Sequence, residues 1–446
     1  MGHIVFAAPS IRRFHLHHRL RRDLLRRGHR VSILCTERTE FTFWREQVSD
    51  VDLIVPSYRD NHPDPRIDSF VQATPADQQA ELHRVALPIL HWLERERPDL
   101  VLLHEDRSIE AACIQFAART VGSRVLWTGP GLLPHTMQVD QRGLDADAQI
   151  RRWTARDYRV IAPDRALLDA GLTHAMSGTA PFALPRQEVR VPLMRRRLGD
   201  AISYALRGRF GAAMQALTAW RAPFETEWPV GMRTPSIEMH ATSVCVLLQH
   251  RNDPLVVHDA TDPPDARTLI QQAIAAADAI GPDTNVIAVL PGRVTEAEMG
   301  IPQLAGEHFD RVRLAPLGCA AAVAATALVT ITINHPMATV ALLAGTPVVH
   351  LGRALYELQG VTTHTTIDEL PTATEAALHR DRPALRRRFL TFLLQHGHVW
   401  CSQTAPNHNG MLGLVQAIET RLQTDAESDT RPLPYRPGPT WPLATP

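Results

Sequence analysis

The segment richest in chemical possibility is Val329–Gly360, VTITINHPMATVALLAGTPVVHLGRALYELQG. An apolar run ends at Asn334, and His335-Pro336 turns the chain into a helix whose first turn carries Thr339. Backbone N–H groups at such a helix start, set at the carboxyl edge of a strand, suit a phosphate or a sugar nucleotide. Gly345 closes the helix, and the next strand ends in Gly352-Arg353, where a guanidinium can pair bidentately with an anion. An ordinary strand–turn–helix without a ligand has the same spacing.

Histidines invite a metal reading, which their spacing does not support. His15, His17 and His18 are two and one residues apart, so no pair shares a helix face as His-x-x-x-His does. His104-Glu105-Asp106 reads as a polar loop at a strand end, and no nucleotide-sugar magnesium site is predicted. No metal and no resident cofactor are predicted.

The composition excludes further mechanisms. All 47 basic side chains are arginine, because the chain of 446 residues contains no lysine. Phosphate loops of the Gly-Lys-Ser/Thr type, Schiff-base chemistry and the kinase ATP lysine are therefore absent. Forty-seven acids balance the arginines to a net charge of zero, which argues against a nucleic-acid partner. Five cysteines, at 35, 113, 245, 319 and 401, are scattered and read as reduced core thiols. The N-terminus shows no signal peptide, and the apolar stretch Leu314 to Leu351 is broken by Asn334-His335-Pro336 and Gly345-Thr346-Pro347. A cytoplasmic protein is expected.

The elements that must position these residues alternate between strand and helix. His3 to Ala8, Val31 to Cys35, Asp99 to Leu103 and Arg124 to Trp127 read as strands, with helices at Phe14 to Arg27, Gln78 to Glu96 and Ile109 to Val121 between them. A second series runs through strands at Val244 to Leu248, Val286 to Leu290, Val329 to Ile333 and Pro347 to Leu351. Its helices fall at Ala266 to Ile280, Leu317 to Ala327 and Met337 to Ala344. This pattern predicts an α/β protein of two Rossmann-type, doubly wound domains facing across a crevice. The boundaries expected are 1–235, with an arginine-rich helical extension at about 186–225, then 240–425, then a Pro-rich disordered tail at 426–446.

Three segments resemble the capsular polysaccharide biosynthesis proteins of the KpsS/LipB type, which transfer 3-deoxy-manno-octulosonate (Kdo). Ala341 to Val348, Leu351-Gly352-Arg353-Ala354-Leu355-Tyr356 and Gly360-Val361-Thr362 are similar to that family's nucleotide region, with Asn334 in step. Gly131 to Ala146, GLLPHTMQVDQRGLDA, matches a family loop through Gly131, Pro134, Thr136, Asp140 and Gly143. Val246 to Asp253 matches a strand end that carries Gln249 and Asp253. Two family features are replaced: a Lys-x-His-Pro motif reads Leu290-Pro291-Gly292-Arg293, leaving Arg293 as the nearby cation, and a glutamate becomes Gly129.

The resemblance implies a GT-B-like glycosyltransferase with CMP-Kdo as donor, a lipid or Kdo-terminated acceptor and retaining chemistry. In that reading Asp253 is the nucleophile and Glu105 a general base, although Asp253 ahead of Pro254 also suits a turn. Gln249, Arg293, Asn334, His335, Thr339, Gly352, Arg353, Gly131 and Asp140 would bind substrate. Partners implied are the nucleotide sugar, a lipid-linked acceptor, other capsule-assembly proteins and the inner face of the inner membrane. For the membrane, the basic stretch Arg186 to Arg221 is the candidate contact, with a solvated face as its alternative. A non-catalytic relative that binds a glycan or a partner, and a transferase using a UDP- or GDP-sugar, are the other readings.

Overall fold

The structure is a computed structural model that describes residues 1–9, 11–54, 65–72, 76–104, 109–177, 242–250, 253–291, 301–308, 310–380, 382–403 and 406–424. The first domain runs β1 (His3–Ala7), α1 (Phe14–Arg26), β2 (Arg30–Cys35), α2 (Arg38–Gln47), β3 (Val51–Leu53), α3 (Pro65–Gln72), α4 (Ala76–Glu96), β4 (Leu100–His104), α5 (Ile109–Thr120), β5 (Arg124–Pro130), β6 (Met137–Asp140) and α6 (Arg165–Ser177). The second runs β7 (Ser243–Leu247), α7 (Pro254–Asp259), α8 (Ala266–Ile280), β8 (Asn285–Val289), α9 (Ile301–Glu307), β9 (Val312–Ala315), α10 (Ala320–Thr326), β10 (Val329–Thr332), α11 (Ala338–Ala344), β11 (Val348–His350), β12 (Thr363–His364), α12 (Leu370–Arg380) and α13 (Pro383–Phe392). After a π turn at Leu393–Gly397 come β13 (His398–Val399) and α14 (His408–Gln423).

Each domain is a doubly wound sheet, as the alternation of elements predicts. The first has the order β13-β6-β5-β4-β1-β2-β3 and the second β12-β11-β10-β7-β8-β9. All pairs in the second sheet are parallel, and in the first only the pairs made by β6 are antiparallel. Successive side chains of a strand point to opposite faces, and here both faces are covered. Ile4 and Phe6 enter one apolar cluster of the first domain, Val5 and Ala7 the other. Val244 and Val246 likewise part from Cys245 and Leu247 in the second. That double burial is why these strands are continuous apolar runs in the sequence.

The carboxyl ends of both sheets approach each other. Leu132 and Leu133, just beyond β5, share an apolar cluster with Ala354, Leu355 and Tyr356, just beyond β11. This is the GT-B-like arrangement expected.

Two features differ from the sequence reading. The stretch after β5, expected as a loop, reverses and pairs as β6, Met137 opposite Pro130 and Asp140 opposite Trp127. After residue 397 the chain returns to the first domain: β13 pairs with β6, and Met411, Leu414 and Ile418 of α14 pack with Ile4 and Phe6. Four of the five cysteines are buried and all are free thiols. Among the described residues no helix is long and apolar enough to cross a membrane. The extension at 186–225 and the tail at 426–446 lie outside the described residues.

Candidate functional site

In a doubly wound sheet the strand connections part at a switch point, and ligands bind beyond the carboxyl ends of the strands there. In the second sheet this point lies between β7 and β10. Gln249 follows β7, Asn334 follows β10, and the two side chains are bonded across it. Gln249 Nε2 donates to Asn334 Oδ1 at 2.9 Å, while Gln249 Oε1 accepts the Asn334 backbone N–H at 2.8 Å. Asn334 Nδ2 donates in turn to the Leu255 carbonyl at 2.8 Å and to that of Arg353 at 3.3 Å. One buried amide pair therefore ties the ends of β7, β10 and β11 together.

The same turn uses up its own backbone donors. Thr332 Oγ1 accepts the His335 N–H at 3.0 Å, and His335 Nδ1 accepts the Met337 N–H at 3.1 Å. The N–H groups of Ala338, Thr339 and Val340 go to the carbonyls of His335, Pro336 and Met337. α11, seven residues long and closed by Gly345 at φ +98°, does not present the set of unengaged donors expected from its sequence. His335 is buried and neutral: its Nδ1 is an acceptor, which leaves the proton on Nε2, and burial lowers its pKa to about 4. It brings no positive charge to an anion near neutral pH. Thr339 is fully buried, and its hydroxyl has no hydrogen-bond partner.

Asp253 caps α7. Its Oδ1 accepts the Leu255 N–H at 2.9 Å with Pro254 at the first helical position, so the turn role foreseen for it is real. Burial raises its pKa, against the pull of the Leu255 N–H and of a hydrogen bond from Gln249. Asp253 thus belongs to the same cluster as Gln249 and Asn334. Gly352 packs tightly against them, for a Cβ there would lie 3.2 Å from Asn334 Nδ2 and 3.1 Å from Ile333 Cγ2.

Arg353 is turned toward the first domain. Its guanidinium donates to the Ala146 carbonyl and to Asp147 Oδ1, both at 3.1 Å. Both members of that ion pair are about half exposed, so it is weak, and Arg353 Nη1 also lies 3.9 Å from Oδ1 of the buried Asp259. A second link, Arg151 to Glu357 at 2.7 Å, runs alongside.

In the first domain Gly131 and Asp140 shape the backbone. A Cβ on Gly131 would lie 2.1 Å from Thr136 Oγ1 and 2.6 Å from His398 Cδ2, so only glycine fits. Asp140 accepts the N–H groups of Arg142 at 2.7 Å, Gly143 at 3.1 Å and Gln149 at 2.9 Å, folding the 140–149 segment round one carboxylate. Burial pushes its pKa up to about 7, against those three donors. Neither residue is among the Gln249–Asn334 group.

The first sheet has its switch point between β1 and β4, marked by His104 and His17 with ring centroids 5.0 Å apart. His104 Nδ1 meets Thr128 Oγ1 at 2.6 Å, and burial holds its pKa well below the usual range. Among the described residues no group of three or more His, Cys, Asp or Glu side chains is placed to hold a metal. Glu105 and Arg293 lie outside the described residues.

Sequence reasoning passed over Thr332 and Asp147. A polar residue at alternate positions of a buried strand, Thr330 and Thr332, is a readable sign of the first. Asp147 gave none, since its partner is 206 residues away.

No family model matches the chain, and no curated protein matches it. Solved structures with some likeness include MurG of Acinetobacter baumannii, 12% identical over 94% of this chain and 99% of that one, with a TM-score of 0.38. CalG4, the calicheamicin glycosyltransferase, is 14% identical over 96% and 99%, with a TM-score of 0.37. KpsC of Thermosulfurimonas dismutans, described as a beta Kdo 2,7 transferase, is 11% identical over 93% and 98%, also at 0.37. Likeness at this level says nothing of substrate or reaction.

Proposed function

We propose that this protein is a glycosyltransferase that binds a nucleotide sugar at the carboxyl edge of the second sheet and an acceptor in the crevice toward the first. The observation that carries this reading is the Gln249–Asn334–Asp253 cluster at the switch point, with Arg353 beside it. CMP-Kdo is the donor in this reading, and a lipid or Kdo-terminated glycan is the acceptor. The Asp253 carboxylate attacks the anomeric carbon and expels CMP. An acceptor hydroxyl then displaces Asp253 with loss of its proton, and two inversions retain the configuration. Arg353, released from Asp147, pairs with the donor phosphate.

One observation favours a second reading, a non-catalytic relative that binds a glycan or a protein of capsule assembly: the Asn334 turn keeps its backbone donors for itself. Thermal unfolding of the full chain with CMP, UDP or GDP separates the readings. A ligand at a hundred times its Kd stabilises the folded state by about 2.7 kcal/mol. The expected result is a rise of a few degrees with CMP and none with UDP or GDP. A rise with UDP or GDP instead would move the donor to that nucleotide, and no rise with any of them would favour the non-catalytic reading.

A further inference from the structure

Between β6 and α6 the chain makes three short helical turns, Asp145–Asp147, Gln149–Arg152 and Asp157–Val160. Tyr158 anchors the third turn: it is fully buried, with its ring centroid 5.4 Å from that of Phe389 and 5.7 Å from that of Phe392. Two residues on, Val160 is 87% exposed. A firmly held turn thus presents a bare valine to solvent.

Arginines surround it. Arg152, Arg156 and Arg159 are exposed on the same segment, and Arg382 and Arg387 are exposed at the start of α13. The two stretches are neighbours, because the Arg388 guanidinium donates to the Arg159 carbonyl. Two acids on the same segment, Asp157 and Asp164, stand against these five exposed arginines; Asp157 accepts the Thr154 N–H and hydroxyl at 2.7 and 2.8 Å, and Asp164 accepts the Leu167 N–H at 3.0 Å. In a chain of zero net charge this is a local accumulation of positive charge.

We propose that this face docks on an anionic lipid bilayer, with the arginines at the level of the lipid phosphates and Val160 reaching the boundary between headgroups and acyl chains. Exposed guanidinium groups fit any polyanion, but a bare valine gains only from an apolar medium, which a bilayer has and a nucleic acid backbone lacks. The docking face stands on residues outside the candidate site and does not depend on the glycosyltransferase reading.

Co-sedimentation of the full chain with lipid vesicles tests this without any activity readout. The chain is expected to bind phosphatidylglycerol–phosphatidylcholine vesicles, to release them at high salt, and to ignore phosphatidylcholine alone. Each exposed arginine near an anionic surface is worth about a fivefold change in partition, so Arg156→Gln, Arg159→Gln and Arg387→Gln together lower it about a hundredfold. Val160→Ser, which removes apolar surface without adding charge, weakens vesicle binding while leaving any association with duplex DNA unchanged. All four positions are at the surface, and unchanged melting temperatures confirm that the variants fold. The proposal is overturned by wild-type protein that ignores anionic vesicles, by a triple variant that binds them as wild type does, or by Val160→Ser binding them undiminished.

Discussion

Below pH 6.5 the protein is expected to lose stability steeply as the pH falls toward 5. Burial lowers the pKa of His17 to about 3 and those of His335, His350 and His398 to about 4, and holds His104 well below its ordinary value. In the unfolded chain each titrates near 6.5. A histidine whose folded pKa is depressed lends stability above the unfolded value and withdraws it as the pH falls. At pH 5 that withdrawal is about 2 kcal/mol for each of the four groups at about 3 or 4, a sum of about 8 kcal/mol, and His104 acts in the same direction.

Asp140 acts in the opposite sense. Its carboxyl, raised to about 7, holds a proton more tightly folded than unfolded, so it returns at most about 3 kcal/mol between pH 7 and 5. His398 shows the structural reason for the acid sensitivity. Its Nδ1 faces the Leu393 carbonyl at 3.1 Å, and its Nε2 accepts the Leu132 N–H at 2.9 Å. A second proton would set two donors against each other. Urea unfolding at pH 7.5 and at pH 5.5 measures the slope, and His398→Gln should make it shallower while lowering stability at pH 7.5. Equal stability at the two pH values would mean that the buried histidines titrate as if exposed.

The second large effect is expected at Gln249. Gln249→Leu keeps the approximate volume but strands the Asn334 N–H and Oδ1, both buried. Each unsatisfied buried group costs about 1–3 kcal/mol, so a loss of about 2–6 kcal/mol is expected. Because Asn334 also holds the carbonyls of Leu255 and Arg353, nucleotide binding should fall with it. Gln249→Glu offers the same acceptor oxygen to the Asn334 N–H but no amide donor to Asn334 Oδ1, and should lie between. Melting curves together with nucleotide titration check the pair. A Gln249→Leu protein as stable as wild type would show that the amide bridge contributes little.

The sheets were legible because their strands are buried on both faces, which leaves runs such as Ile4 to Ala7 and Val244 to Leu247 with no polar interruption. β6 was not, since Met137–Asp140 is short, carries two polar residues and is flanked by turn residues. The return of α14 to the first domain was hidden for another reason. Its apolar side would satisfy either core, and only the pairing of His398–Val399 with β6 decides which.

At the site, strand-end position identified Asn334 and Arg353, because residues just past a buried parallel strand must lie at the crevice, whereas Gln249 was identified by the family resemblance. What they do there was not readable. The Gln249–Asn334 pair spans 85 residues, and whether Arg353 meets an anion or Asp147 depends on how two domains dock.

The central claim, sugar transfer from a nucleotide donor at the Asp253 edge, is tested most directly by transfer from CMP-Kdo to a lipid or Kdo-terminated acceptor, comparing wild type with Asp253→Asn. Asparagine caps a helix as well as aspartate, so the bond to the Leu255 N–H survives while the nucleophilic carboxylate is lost. The predicted result is acceptor-dependent release of CMP with retained anomeric configuration in the wild type, and loss of nearly all of it in a variant that melts at the same temperature. Undiminished transfer by Asp253→Asn, or no CMP released by the wild type with either acceptor, would contradict the account.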